Sequence, residues 1–241
     1  MRLSLRLLLP CVGLLLLISS ARLMAADAAA ARWERFEPEF QAFAAADAAQ
    51  APVQGGILFV GSSIFRHWTD VPTRMAPLPV LNRAFGGSRT EDQLARFEQV
   101  VPPYAPKIIV YYCGSNDLNA GKVPEDPAAI FARFRQFSEK VRARYPATRL
   151  VFVSSTRSPD RVARWTHVDH YNALVRVYCA TTPNHTFVDV NPVLVDAAGR
   201  PRLELYRDDL LHFHPPAYLE FTEVLKPVLE RLWQDVNSPV R

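Results

Sequence analysis

Ile57-Leu58-Phe59-Val60-Gly61-Ser62-Ser63-Ile64 is the stretch on which the reading of the fold turns. Its first four residues are apolar without a break, and a run so short and so uniformly apolar reads as a strand buried on both faces. Such a strand needs helices over both sides of a parallel sheet. Gly61 then permits a tight turn, and the two serines stand where a helix would open.

Outward from this stretch the same alternation repeats. Segments 80–81, 108–113, 150–153 and 187–190 read as further strands rich in β-branched and aromatic residues. Between them lie amphipathic helices. The clearest carry Ile130, Phe134, Phe137 and Val141, then Val162, Trp165, Val168, Tyr171, Val175 and Tyr178, and finally Tyr218, Phe221, Leu225, Val228 and Leu232. Strand and helix in turn predict an α/β domain of three layers around a parallel sheet, with the ligand crevice outside the carboxyl ends of the strands. Before the first strand, residues 28–49 are alanine-rich with Trp33, Phe36, Phe40 and Phe43 at helical spacing, and predict an amphipathic helix packed on the domain.

The N-terminus carries a different signal. Arg2 and Arg6 precede an apolar run at 7–18, and small residues follow to 31, which is the layout of a secretory signal peptide. The run is short for a bilayer and contains Pro10 and Gly13, and Cys11 inside it is no lipid-attachment site. The expected organisation is a signal peptide at 1–26, an N-terminal helix and linker at 27–54, and one domain at 55–241, secreted or periplasmic, with no stable membrane anchor once the signal is removed. Removing Arg2, Arg6 and Arg22 lowers the formal charge from +4 to +1, so no nucleic-acid partner is implied. Arg133, Arg135, Arg142 and Arg144 read as a solvated helix face. Export would allow Cys113 and Cys179 to pair, although each fits a small core position as a free thiol.

Four strand ends carry residues fit for chemistry. After the first stands Gly61-Ser62-Ser63; after the second Asn82-Arg83-Ala84-Phe85-Gly86-Gly87-Ser88, where adjacent glycines let the main chain approach a ligand. After the third comes Gly114-Ser115-Asn116-Asp117, whose amide side chain can donate to an oxygen that becomes negative. Before the last helix lies Asp209-Leu210-Leu211-His212, in which the carboxylate can accept from Nδ1 and leave Nε2 for a serine proton. Singly, each could be an ordinary cap or turn. Their joint occurrence at the ends of an α/β sheet is what points to a site.

With these segments in hand, the chain resembles the SGNH, or GDSL-type, hydrolases, in which Ser, Gly, Asn and His occupy separate blocks. Residues 59–64 look like block one, 82–88 like block two, 114–117 like block three and 209–212 like block five, and the resemblance extends over 55–232. It implies a three-layer α/β/α sandwich with a roughly five-stranded, flavodoxin-like parallel sheet, and a serine esterase that uses no cofactor. Carried over residue by residue, it implies Ser63 as nucleophile, Asp209 and His212 as the rest of the triad, and Ser63, Gly87 and Asn116 as oxyanion donors. In layout the chain is most similar to the platelet-activating-factor acetylhydrolase-like group. Ser62 departs from the family, standing where many members have Asp, which bears on local hydrogen bonding.

The family's Asp-x-x-His, x-x-Pro, x-x-Tyr pattern puts His212 in register and leaves His214 as the reserve candidate. His67 could line the mouth of the site, while His167, His170 and His185 read as surface or packing residues. One rival is a metal hydrolase using His212, His214 and Asp208 or Asp209, with no third histidine cluster to complete it. Another is a non-catalytic envelope-binding module on the same fold. The expected partner is a small ester, with a short acetyl-like acyl group on a carbohydrate, lipid or other alcohol, an expectation prompted by short connections and by Trp68 near Ser63. A lysophospholipase or thioesterase is the alternative within the family.

Overall fold

The computed structural model describes residues 33–119, 121 and 123–238, so the signal segment expected at 1–26 lies outside the described residues. The apolar run that decided the reading is strand β1 (Ile57–Gly61), buried at every position. With β2 (Val80–Asn82), β3 (Ile108–Tyr112), β4 (Arg149–Val153) and β5 (His185–Val188) it forms one five-stranded sheet in the order β2-β1-β3-β4-β5. All four strand pairs are parallel, the flavodoxin-like order in which the chain reverses direction across the sheet between β1 and β3.

Helix α1 (Glu37–Ala49) precedes β1 in the chain, and helices α2 (Ser63–Arg66), α3 (Val71–Arg74), α4 (Thr90–Ala95), α5 (Phe97–Val100), α6 (Ser115–Leu118), α7 (Pro127–Arg144), α8 (Trp165–Thr181) and α9 (Pro215–Asn237) occupy the connections and the flanks. Two compact units divide between Ala45 and Ala46, inside α1. Among the described residues no helix is long and apolar enough to cross a membrane.

The period-two alternation of the central strands sorts the core into two layers. Ile108, Val110 and Tyr112 of β3 belong to one buried cluster with Tyr218, Phe221, Leu225 and Leu229 of α9. Tyr111, between them, points the other way, its ring 5.2 Å from Phe134 and 4.9 Å from Phe137 of α7. Asp126 starts α7 by accepting from Ala128 N at 2.9 Å, and Pro127 occupies the first turn, where its missing N–H costs nothing.

Three expectations need correction. The last strand lies at His185–Val188, not at 187–190, because its pairing with β4 ends at Val153↔Val188; Asp189 then accepts from Asn191 N and turns the chain. Val162 is no part of the helical stripe: Pro159 and the non-helical Arg161 (φ −135°, ψ 40°) delay α8 to Trp165, leaving Val162 59% exposed. Arg133 is no solvated residue, since it pairs with the fully buried Asp117, whereas Arg135, Arg142 and Arg144 are exposed. Cys113 and Cys179 are both buried free thiols, and burial pushes Cys113 well up and Cys179 up to about 12.

Gly61 closes β1 with φ +150°, and a Cβ built there would stand 2.0 Å from the carbonyl oxygen of Tyr112. Gly61→Ala must therefore push β1 away from β3 at the end that carries the candidate residues. The expected loss is about 3 kcal/mol or more of unfolding free energy, read from the urea midpoint. A midpoint unchanged from wild type would show that the two strands can part without cost.

Candidate active site

The site begins with main-chain fastening. The carbonyl oxygen of Gly61 accepts from Phe85 N at 3.0 Å, Ser88 Oγ at 3.2 Å and Gln93 Nε2 at 3.1 Å, so the glycine segment after β2 is tied to the end of β1. Ser62 N donates to Tyr112 O at 3.0 Å, which ties the next residue to the end of β3. Ser63 follows as the first residue of α2, where its own N–H has no acceptor within the helix.

Ser63 Oγ lies 2.9 Å from His212 Nε2, and His212 Nδ1 lies 2.6 Å from Asp209 Oδ2. The other carboxylate oxygen, Oδ1, accepts from Leu211 N at 3.0 Å and His212 N at 2.9 Å. Asp209 thus closes its own turn with one oxygen and orients the imidazole with the other. Burial works against its charge, but the His212 side chain and the two N–H groups outweigh it and hold the carboxyl well below the usual range. With Nδ1–H committed to Asp209, Nε2 is left to accept the hydroxyl proton. Such a hydroxyl becomes a nucleophile as the ring takes its proton.

The turn itself contains an unusual residue. Leu210 has φ +52°, a left-handed conformation that costs an ordinary side chain about 1–2 kcal/mol. Its carbonyl is held from outside by Ser158 Oγ at 2.7 Å and Asp160 N at 3.4 Å, on the segment that follows β4. His67 packs edge-on against His212, ring centroids 4.9 Å apart. Burial, then the charges of His212, Arg207 and Arg66, push His67 below the ordinary histidine value.

Asn116 lies on the far side, in α6. Its Nδ2 donates to Ser62 Oγ at 2.7 Å and to Ser88 O at 3.0 Å, so the amide bridges the ends of β1 and β2. Asp117, fully buried, accepts from Thr90 N at 3.1 Å, Thr90 Oγ1 at 2.5 Å and Arg133 at 3.1 Å. Burial nonetheless pushes its carboxyl up, against the lowering effect of Thr90 and Arg133.

Ser63, His212 and Asp209 are therefore in direct contact, and Asn116 touches Ser62, the neighbour of Ser63. Gly87 is exposed, at φ +70°, beside the anchored Ser88. His214 is exposed at the start of α9; among the described residues His212 is the imidazole bonded to Ser63. Both His212 nitrogens are engaged, and among the described residues no three His, Cys, Asp or Glu side chains are grouped as metal ligands. Trp68 does not line the site: it is 1% exposed and stacks on Tyr218 in the core, so it lends no support to a short acyl group. The sequence assigned no role to Ser158 or Gln93 and read Arg133 only as part of a solvated face. For Ser158 the available signal was the hydroxyl-rich run 154–158 directly after a strand, the position that marked the other segments.

The model of the GDSL-like Lipase/Acylhydrolase family matches residues 56–218. Among solved structures, the chain is similar to a Streptococcus pneumonia protein provisionally described as a platelet activating factor, with 20% identity, TM-score 0.70, and 86% of this chain and 98% of that one covered. A GDSL-like lipase from Bacteroides thetaiotaomicron gives 19% identity and TM-score 0.66 over 80% of this chain and 97% of its own. A carbohydrate esterase family 3 protein from Talaromyces cellulolyticus gives 16% identity and TM-score 0.60 over 76% and 99%. At these identities the likeness shows the fold. A comparison with curated proteins found no match.

The lowered Asp209 carboxyl has a consequence for stability. A depressed folded value contributes stability that is complete above the unfolded carboxylate value of about 4 and is lost as pH falls towards the folded one. Asp209→Asn lacks that contribution. The gap between the urea midpoints of wild type and variant should be widest near neutrality and narrow steadily below about pH 4. A gap that stays constant down to pH 2 would mean the carboxylate is not depressed.

Proposed function

The chain belongs to the GDSL-like lipase/acylhydrolase family and is an ester hydrolase by that membership; from this premise we propose that it cleaves carboxylic esters through an acyl group carried on Ser63. The observation that carries the reading is the unbroken run of contacts from Ser63 Oγ through His212 to Asp209. Ser63 Oγ attacks the ester carbonyl as His212 Nε2 takes its proton, and Asp209 stabilises the imidazolium that results. The tetrahedral oxyanion is met by the N–H groups of Ser63 and Gly87 and by Asn116 Nδ2. His212 then gives its proton to the departing alcohol. Water, deprotonated by the same ring, releases the acid and restores Ser63.

For the acyl group we favour short, acetyl-like chains. The connections beside Ser63 are short: Gly61 is separated from α2 by Ser62 alone, and Gly114 leads straight into α6, which leaves little chain to build a long acyl tunnel. The structural neighbours also include the carbohydrate esterase family 3 protein and an acetyl esterase crystallised with acetate. One observation favours the longer-chain alternative, lysophospholipase or thioesterase. Leu210, in the triad turn, and Val162, two residues from the Asp160 bonded to it, are both exposed apolar side chains. The proposed site of action is secreted or periplasmic, on the strength of Arg2, Arg6 and the apolar run after them.

A fluorophosphonate probe should label wild type and fail to label Ser63→Ala; a wild type that resists labelling would favour a binding module on this fold. Asn116→Ala should remain folded, label, and lose about 100- to 1,000-fold in kcat. Across p-nitrophenyl esters from acetyl to palmitoyl, kcat/KM should fall with length. A steady rise would hand the assignment to the lysophospholipase or thioesterase reading.

A further inference from the structure

Ser62 occupies the N-cap of α2, where a serine hydroxyl ordinarily accepts from an N–H of the first turn. Here it makes no such bond. The hydroxyl oxygen instead accepts from Asn116 Nδ2 at 2.7 Å, on a residue that is 1% exposed and adjacent to Ser63. A capping bond worth about 1 kcal/mol to the helix is forgone in favour of a contact to a side chain from another strand end.

An amide nitrogen carries two protons. In this site one goes to Ser62 Oγ and the other to Ser88 O, so the orientation of the Asn116 amide is fully determined before any ligand arrives. The two acceptors differ in kind. Ser88 O is a main-chain carbonyl on a buried residue, contacted also by Cys113 Sγ at 3.5 Å and anchored through its own side chain to Gly61. Ser62 Oγ is a neutral hydroxyl on a single rotatable bond. When an acyl oxygen on Ser63 acquires negative charge, the proton facing Ser62 is the one that can be shared with it, because a charged acceptor competes strongly against a neutral one.

We infer that Ser62 is a positioning residue for the proposed ester hydrolysis: its hydroxyl holds the Asn116 amide in the orientation that serves the oxyanion and yields part of that hydrogen bond as the charge forms. The inference rests on the reading of Asn116 as an oxyanion donor. Ser62 contributes through Asn116, and among the described residues the His212 ring bonds to Ser63 and Asp209 and not to Ser62, so its effect falls on transition-state stabilisation and not on substrate binding.

The test is a double-mutant cycle on the full chain, with p-nitrophenyl acetate as substrate, reading kcat and KM separately and fluorophosphonate labelling in parallel. Ser62→Ala is expected to lower kcat about five- to tenfold with KM unchanged, the value of one ordinary hydrogen bond. In the Asn116→Ala background the same change should cost nothing further, because the group it positions is gone. Ser62→Thr, which restores a hydroxyl, should recover most of kcat, and it keeps the test open where the alanine variant melts early. A Ser62→Ala penalty of equal size in both backgrounds, or a wild-type kcat in Ser62→Ala, overturns the inference while Asn116→Ala remains slow. Full turnover by Asn116→Ala is the separate outcome that overturns the oxyanion reading, and the role of Ser62 with it.

Discussion

Everything chemical in this molecule depends on how closely β1 approaches β3 at Gly61. The space for a Cβ there is filled by the carbonyl of Tyr112, so the two strands meet backbone to backbone at the point where both leave the sheet. That proximity makes Gly61 O available as a common acceptor for Phe85, Ser88 and Gln93, and brings Ser62 N onto Tyr112 O. Three strand ends are thereby stitched together by hydrogen bonds that need no side chain at position 61. Ser63, Ser88 and Asn116 each lie within four residues of one of these stitches, which ties the segments that carry them to the strand ends.

Beneath this cluster lies a buried ionic group. Asp117 receives the N-terminus of α4 through Thr90 and the side chain of Arg133 from α7, and Arg133 is braced in turn by Glu125. A buried pair of this kind adds little net stability over an apolar contact of the same shape, while loss of one partner leaves an uncompensated group in a dry place. It joins α4 to α7 directly beside Asn116, the immediate neighbour of Asp117.

The architecture was legible in the sequence because it rests on patterns that survive without coordinates. Uninterrupted apolar runs such as 57–60 and 108–112 admit little besides doubly covered strands, and the helical stripe from Tyr218 to Leu232 has one apolar face. The Asp209-x-x-His212 contact was legible for the same reason, since three residues of turn suffice to make it. The edges were harder. Strand β5 slipped by two residues because Val188 and Val190 are both buried, and only the pairing with β4 reveals which residue ends the ladder. Arg133 and Trp68 were misplaced because both depend on a partner far away in sequence, Asp117 and Tyr218, which neither spacing nor composition can supply. The run 154–158 marked Ser158 by its place after a strand, but its acceptor, Leu210 O, lies on a different segment that spacing does not supply.

The two halves of the site are held in different ways. The proposed donors to a forming oxyanion, Ser63, Gly87 and Asn116, are carried by segments that leave the sheet where Gly61 O and Ser62 N cross-link the strand ends by hydrogen bonds. His212, the proposed proton carrier, sits on a turn whose carboxylate side chain is 50% exposed and whose central residue is held in a left-handed conformation. That conformation is what carries the chain from Asp209 back to His212 in so few residues, and Ser158 and Asp160 hold its carbonyl from the neighbouring segment. Stabilisation of charge demands fixed dipoles, because any reorganisation at the moment of reaction subtracts from the gain. Proton transfer demands alternating contact with serine, leaving alcohol and water, for which a locally closed turn with a freely ionised Asp209 suffices. The proposed division of labour follows from placement: the oxyanion donors are attached to the strand ends, and the imidazole that must serve three partners in succession is attached to a turn.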